Sequence, residues 1–419
     1  MTEAIETSAT GGAADAADFD VAAAWHVADP YPFLRRLRHE RPVFWSEHLS
    51  MWVLTRYADV RAAYRDNALF SSVGSLTISR TLTPEVKELL GEHRSFLDDF
   101  AANVDPPKHT RMRRAISRAF TPRAVARLGD AFRRHMDTVL DDVVPRGHAD
   151  FVADIAHLPS ARLAAAFIGV PPEDEERVKH WVLSWFQLFL SPQPPERQRE
   201  LAGDFLKYLD YVDRLVTARR AEPRDDFVSL MAELIDTGPD GLSHREVVET
   251  ISALLLGGND TVPNALSNAV HRLMRERAVW EEVVADPSLV PGMIEETLRI
   301  DGASLGSFRT ATRDVTLHGV TIPAGAQVLL HADSAAHDET VFPDPERFDV
   351  RRPNAREHMV FGYGVHHCVG AALSRLKLEI AFERLAARLP DLRAAPGEVA
   401  YRRSLVGRGL VALPVSWTP

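Results

Sequence analysis

The sequence predicts a mainly α-helical protein with small β-sheets. From Lys108 onward, apolar residues recur at the three- and four-residue spacing of helices, in segments separated by Pro, Gly and charged residues. Runs with strand character are few and short, at 42–54, at 315–330 and at the C-terminal end. No internal repeat or linker divides the chain, so we expect one domain over 19–419, preceded by a flexible tail at 1–18.

The predicted elements alternate between helices and a few hairpins. A helix at 30–38 leads into a small hairpin at 42–54, whereas 71–104 is a long irregular connection of the kind that is usually functional. The stretch 315–330 predicts short strands, because glycine and proline interrupt its β-branched runs. The further predicted helices are 57–66, 108–119, 122–146, 159–168, 173–190, 197–220, 226–236 and 242–277.

Composition excludes several functional classes. The 419 residues carry a net charge of −10, which argues against nucleic acid as the main partner. A single cysteine cannot form an internal disulfide or a Cys-rich zinc site, and we expect a cytoplasmic protein. The first twenty residues lack the basic start of a signal peptide, and no uninterrupted apolar run reaches about 18 residues. We therefore expect no membrane span.

The longest predicted helix, 242–277, carries poor helix formers at its centre. Ser243 and Glu246 have the spacing of a capping box, which marks its start. Near the middle, the sequence GGNDTVP includes Pro263, which lacks the N–H that would bond the carbonyl of Asn259. This pattern predicts a break beside Asp260 and Thr261. By itself it fits a packing bend as well as a functional site.

The only cysteine, Cys368, lies in a loop with three glycines, Phe361-Gly-Tyr-Gly-Val-His-His-Cys-Val-Gly370, immediately before a predicted helix. An inert buried thiol is the commoner fate of a lone cysteine. A Cys/His hydrolase using His366 is a second reading, and a zinc site is a weaker third.

Five motifs, in chain order, resemble those of cytochromes P450. The resemblance spans residues 105–370 and favours the soluble bacterial type. It implies a triangular single domain with the long helix crossing over a haem. The motifs are DPPKHTRMRRAISRAFTP at 105–122, Asp260-Thr261, Glu296-x-x-Arg299, Pro345-x-Arg347-Phe348, and Phe361, Gly362, Gly364, His366, Cys368 and Gly370 in the cysteine loop.

The resemblance implies a haem b held by Cys368 as the axial ligand of the iron, with Phe361 shielding the sulfur. Glycines 362 and 364 would let the backbone approach the porphyrin. Glu296, Arg299 and Arg347 correspond to a structural triad that supports the loop. The residues implied to meet the haem propionates are His109, Arg113, Arg309 and His366.

The same resemblance implies a monooxygenase that uses O2 and electrons drawn ultimately from NAD(P)H. Thr261 and Asp260 would deliver protons on the distal side. A non-oxygenase haem-thiolate protein, such as an isomerase, dehydratase or haem sensor, is the alternative, because it would need this pair less. The roles of Ser307 and His367 stay open, whereas Arg408 either meets a substrate carboxylate or lies on the surface.

A small or medium apolar substrate is expected, because the implied pocket positions are mostly apolar. They are Phe96, Ala253, Leu256, Gly257, Leu305 and Val406. The arginines of 111–127 form a basic run that could steer an acidic ferredoxin or flavodoxin, although a solvated helix face explains the outer ones equally well. We expect a monomer.

Overall fold

The computed structural model describes residues 19–21, 29–75, 82–91, 93, 96, 98–190, 193–238, 240–397, 399–402 and 407–419. The predicted tail at 1–18 and the predicted substrate contact Val406 lie outside these residues. The helices of the described part are α1 (Tyr31–Glu40), α2 (Tyr57–Arg65), α3 (Pro84–Leu90), α4 (Lys108–Ser117), α5 (Pro122–Val143), α6 (His157–Ile168), α7 (Glu175–Leu190), α8 (Pro195–Ala221), α9 (Phe227–Ala232), α10 (His244–Arg275), α11 (Arg277–Ala285), α12 (Val290–Ile300), α13 (Ala332–Ala336) and α14 (Ala371–Arg388).

Short strands form small sheets beside the helices. One sheet has the order β1-β2-β8-β5-β3, with β2 and β8 parallel and the other neighbours antiparallel. A second has the order β4-β10-β9, and β6 and β7 form a hairpin. The strands are β1 (Val43–Ser46), β2 (Met51–Leu54), β3 (Phe70–Ser71), β4 (His148–Asp150), β5 (Ser307–Ala311), β6 (Val315–Leu317), β7 (Val320–Ile322), β8 (Gln327–Leu330), β9 (Arg393–Ala394) and β10 (Pro414–Ser416).

The predicted fold class is confirmed, and most predicted helices lie within a few residues of their positions. The irregular connection at 71–104 also contains α3, whose first turn is capped by the Thr83 hydroxyl. The chain from Phe151 to Ala156 is π-helical and runs directly into α6. This stretch, Phe151–Ile168, is long and apolar enough by composition to cross a membrane, but half of it is buried in the fold, as in the core helix of a soluble protein.

The central helix α10 begins at the predicted capping box. Ser243 Oγ accepts the Glu246 N–H at 3.1 Å, and Glu246 Oε2 accepts the Ser243 N–H at 2.8 Å. The predicted break does not occur, because the helix continues through Pro263 to Arg275. Packing on both sides stabilises it, since its second half belongs to the main hydrophobic cluster with α5, α12 and α14.

A lysine is buried where α5 packs against α14. Lys377 is 4% exposed, forms no ion pair within the described residues, and places Nζ 5.3 Å from the centre of the Phe132 ring. Burial lowers the pKa of its ammonium group to about 7. Between that value and 10.5 the unfolded chain binds more protons than the folded one, so this residue makes the free energy of unfolding rise with pH.

We therefore expect Lys377→Met to stabilise the fold by about 3 to 5 kcal/mol at pH 6, where the buried charge is most costly. The gain should shrink as the pH approaches 10. Chemical denaturation of both proteins across this pH range measures it, with Lys207→Met on the exposed side of α8 as the control. An equal stability of variant and parent at pH 6 would contradict this account of Lys377.

Candidate active site

The cysteine loop is a tight structure packed onto α2. Gly362 and Gly364 have φ of +70° and +74°, in the left-handed region. The Cys368 N–H donates to the Phe361 carbonyl at 2.9 Å and closes the loop. A Cβ at Gly364 would lie 2.8 Å from the Tyr64 carbonyl oxygen, so α2 itself requires glycine at this position.

Cys368 is exposed to solvent, although the surrounding protein desolvates its thiol in part. Burial raises its pKa, while the N–H groups of Gly370 and Ala371 and the guanidinium groups of Arg113 and Arg375 act in the opposite direction. The N-terminal end of α14 thus faces the sulfur. Amide groups placed in this way favour the thiolate, which is the form that binds metals.

Basic side chains from three separate elements meet beside the loop. His109 and Arg113 come from α4, Arg309 from β5 and His366 from the loop itself. The ring centres of His109 and His366 are 4.2 Å apart. Burial and then the charges of His109, Arg309 and Arg113 lower the pKa of His366 to about 3. These four side chains supply positive charges and hydrogen-bond donors, and the carboxylates around them in the described part of the chain do not match that number.

Several atoms of this cluster lack a hydrogen-bond partner although they are buried. They are His109 Nδ1, Arg309 Nε and both ring nitrogens of His366. Buried polar atoms without partners are costly, which points to an acidic group that satisfies them. A cofactor that carries carboxylates and approaches Cys368 therefore fits the residues present.

One face of α10 is accessible in the middle of a helix whose neighbours are buried. Ala253, Gly257 and Thr261 follow at four-residue spacing along this side of the helix, where Ala253 is buried. Gly257 and Thr261 are exposed, and the Thr261 hydroxyl donates to the Gly257 carbonyl at 3.2 Å. The middle of α10 is therefore accessible at Gly257 and at Thr261.

Asp260 is held on another side of α10. Its carboxylate pairs with Arg402 at 3.0 Å and accepts a hydrogen bond from Asn264 Nδ2 at 2.9 Å. The Arg402 guanidinium also donates to Asn264 Oδ1 at 2.5 Å. Arg402 belongs to a C-terminal hairpin whose arms meet at Tyr401 and Leu410. In this arrangement the acid is paired away from Thr261.

The buried ion pair beneath the loop includes a different arginine from the predicted one. Arg299 donates to both carboxylate oxygens of Glu296 at 2.8 Å, and both side chains are 0% exposed. The third partner is Arg352, whose Nε lies 3.0 Å from Glu296 Oε1. The predicted Arg347 is wrong, because its side chain is exposed. The Arg352 guanidinium also binds the carbonyls of Pro343 and Asp344, which fixes the segment before the loop.

Other predicted residues are distributed between the pocket and the core. Phe96 is half-buried, with its ring 5.1 Å from that of Phe205, in an aromatic group that includes Trp185 and Phe189. Leu256 and Leu305 are buried within two separate hydrophobic clusters.

Two of the open roles are also resolved. Arg408 is neither a surface residue nor a partner for a substrate, because it is buried against Asp301 at 3.1 Å and lies 4.1 Å from the centre of the Tyr401 ring. Ser307 accepts a hydrogen bond from Tyr64 at 3.2 Å.

Residues 174–388 match the family model of cytochrome P450. The chain belongs to the cytochrome P450 family. It is 35% identical to cytochrome P450 107B1 of Saccharopolyspora erythraea over 375 residues, covering 88% of this chain and 89% of that protein. It is 33% identical to the steroid C26-monooxygenase of Mycolicibacterium smegmatis, covering 92% of both chains.

Among solved structures, a type IV self-sufficient P450 monooxygenase matches with a TM-score of 0.90 and 33% identity, covering 96% of this chain. This chain spans about half of that protein, 53% of its length. The protein is therefore a haem-thiolate monooxygenase of P450 fold, which uses haem b, O2 and electrons derived from NAD(P)H through a redox partner.

Several contacts of the P450 site are not encoded in any local sequence pattern. Arg402 is more than a hundred residues from Asp260, so no local pattern joins them. Glu295 and Arg375 form a second, partly buried ion pair next to the loop at 2.5 Å. Glu295 stands directly before the Glu-x-x-Arg motif, and that position was the one available hint.

Proposed function

We propose that Cys368 is the axial ligand of the haem iron and that His109, Arg113, Arg309 and His366 hold the propionates. The orphaned nitrogen atoms of this cluster carry the proposal, because two carboxylates would satisfy them and balance the local charge. A haem iron bound by cysteine thiolate activates O2, since electron donation from the sulfur favours O–O cleavage, as is established for P450s.

Thr261 and Asp260 would supply protons for oxygen activation at the bound haem. The Thr261 hydroxyl shares an accessible helix face with Gly257 and can exchange its bond to the Gly257 carbonyl for one to water. Asp260, which is partly accessible, takes up a proton when it leaves Arg402 and passes it through water to Thr261 Oγ1.

Thr261→Ala tests this proton path. We expect haem and substrate binding to persist, while product formed per NAD(P)H consumed falls by roughly tenfold or more, with the reducing equivalents appearing as peroxide. Thr261→Ser is the matched control, because it keeps the hydroxyl and should keep most of the coupling. Tight coupling in the alanine variant would exclude the relay.

The proposed substrate is a small or medium apolar organic molecule. The aromatic group around Phe96 and the apolar α10 face support this, and the mycolicibacterial relative is named for a steroid. Hydroxylation or a related oxidation of such a molecule is the proposed reaction. A library screen for spin-state shifts in the ferric spectrum would narrow the substrate.

The proposed electron donor is an acidic ferredoxin or flavodoxin that binds near the cysteine loop. The enzyme itself is proposed to be cytoplasmic and monomeric. Arg111 is engaged by Glu246 and Arg114 by Asp240 at 3.3 Å, so they contribute little free charge. Arg118, Arg123 and Arg127 are exposed and form no ion pair within the described part of the chain. They follow α4, the helix that carries His109 and Arg113.

Arg118→Glu should slow reduction of the haem by an acidic donor several-fold at low salt and weaken the dependence of that rate on ionic strength. Stopped-flow reduction measures both. Arg199→Glu on α8 is the control, because α8 packs on α3, α7, α9 and α10 instead of the cysteine loop. Equal rates and equal salt dependence in the Arg118 variant and its parent would remove this docking site.

A further inference from the structure

An ion pair between a buried carboxylate and a partly buried arginine connects α12 to the helix that follows the cysteine. Glu295 is 3% exposed and accepts hydrogen bonds from Arg375 Nε at 2.5 Å and from Arg375 Nη2 at 3.1 Å. His358 Nε2 lies 3.2 Å from the same carboxylate. Although burial alone would raise it, the bonds from His358 and Arg375 lower the pKa of Glu295 to about 2. The Glu295 carboxylate is therefore ionised at neutral pH.

Arg375 also contacts the aromatic residue that opens the loop. Its guanidinium carbon lies 4.7 Å from the centre of the Phe361 ring. The Phe361 carbonyl in turn accepts the Cys368 N–H at 2.9 Å. Arg375 follows Cys368 by seven residues, or about two helical turns, and its charge is among those that act on the Cys368 sulfur. A positive charge thus lies against the ring of Phe361, the residue whose carbonyl accepts the Cys368 N–H.

Fixation of this charge depends on Glu295. An arginine that is 24% exposed would otherwise sample many side-chain conformations, because its rotamer entropy is large. The bidentate geometry with a buried carboxylate restricts it to one position. The Glu295 carboxylate also offsets part of the positive charge of Arg375. The electrostatic effects of these two side chains on the sulfur therefore have opposite signs.

We propose that Arg375, held in place by Glu295, sets the electron-donating strength of the Cys368 sulfur and with it the reduction potential of the bound haem. Arg375 is a positioning residue, since it acts through the ring and the sulfur and touches neither substrate nor iron. A positive charge favours the reduced haem, which carries one more electron. The inference rests on Cys368 being the axial ligand.

Two variants should shift the potential in opposite directions. Arg375→Gln removes the positive charge and should lower the equilibrium constant for reduction by three- to tenfold, where tenfold corresponds to about 59 mV for one electron. Glu295→Gln keeps an amide oxygen that can accept a hydrogen bond from Arg375 but removes the compensating negative charge, and it should raise the constant by a similar factor. Arg375→Lys keeps the charge and should stay close to the parent. A general loosening of the loop would not produce opposite signs.

Spectroelectrochemical titration of the haem-loaded, substrate-free full chain measures these shifts. Resonance Raman frequencies of the reduced CO complex report donation from the sulfur independently. Arg388→Gln is the control. Arg388 lies on α14, as Arg375 does, and the substitution removes only its ion pair with Asp141 at the surface. Shifts of the same sign in both test variants, or constants within twofold of the parent, would overturn the inference.

If Arg375→Gln does not take up haem, Glu295→Gln and Arg375→Lys still decide the question. An unchanged potential in Glu295→Gln rejects the inference. The CO spectrum of the parent protein distinguishes a wrong role for Arg375 from a wrong assignment of Cys368 as the iron ligand. Without a thiolate-type Soret band the assignment of Cys368 fails, whereas with that band and unmoved potentials only the role of Arg375 fails.

Discussion

Replacing Cys368 by alanine is expected to abolish monooxygenase activity completely. The chain has no second cysteine that could replace the sulfur as a ligand. The basic cluster of His109, Arg113, Arg309 and His366 should still bind the haem through its propionates. We therefore expect a haem-containing protein whose reduced CO complex lacks the thiolate-type Soret band.

His367→Ala is a close control, because this neighbouring residue is exposed and has no assigned role in binding the haem. It should retain the thiolate-type band. Haem content by pyridine haemochrome assay and the CO spectrum of both variants are the measurements. If Cys368→Ala kept the thiolate-type band, the assignment of the iron ligand would be wrong.

Among the substitutions proposed for this protein, Glu296→Gln is expected to lower the free energy of unfolding the most. The substitution leaves the guanidinium groups of Arg299 and Arg352 buried without their carboxylate, and the Asp349 N–H loses part of its acceptor. Breaking a buried ion pair in this way costs about 3 to 5 kcal/mol. Because these arginines also bind carbonyls near Pro343 and Pro345, the segment before the cysteine loop should loosen and haem content should fall.

Glu281→Gln is the matched control, since Glu281 pairs with Arg277 on the surface of α11 at 2.8 Å and is 63% exposed. Such a pair contributes about 1 kcal/mol or less. The midpoints of chemical denaturation, followed by tryptophan fluorescence and by the haem spectrum, compare the two. Equal midpoints in both variants would show that the Glu296 network does not support the loop.

Local sequence signals were sufficient to predict most of the helices and the cysteine loop. The capping box at Ser243 and Glu246 depends on residues three apart, and it forms as predicted. The glycine pattern around Cys368 likewise reflects backbone conformations that are local to the loop. The exception is Pro263, where a strong local breaker did not end α10. Core packing along the rest of the helix outweighs one missing hydrogen bond.

The partners of charged side chains could not be predicted from local sequence signals. Arg347 and Arg352 are five residues apart on an irregular segment, and only the path of that segment decides which one reaches Glu296. In the same way, tertiary contacts bring Arg402 to Asp260, Arg408 to Asp301 and Arg375 to Phe361. Arginine has a long, flexible side chain, so its position in the chain does not define where its charge lies.

The sequence by itself determined the fold class, the family resemblance, the cysteine loop and the residue types that the haem chemistry needs. These depend on spacing within short segments, where backbone geometry links neighbours directly. The tertiary structure decided which carboxylate pairs with which arginine, as for Asp260 with Arg402 and Glu295 with Arg375. That choice depends on the relative placement of helices and loops far apart in the chain, which burial of the common core determines.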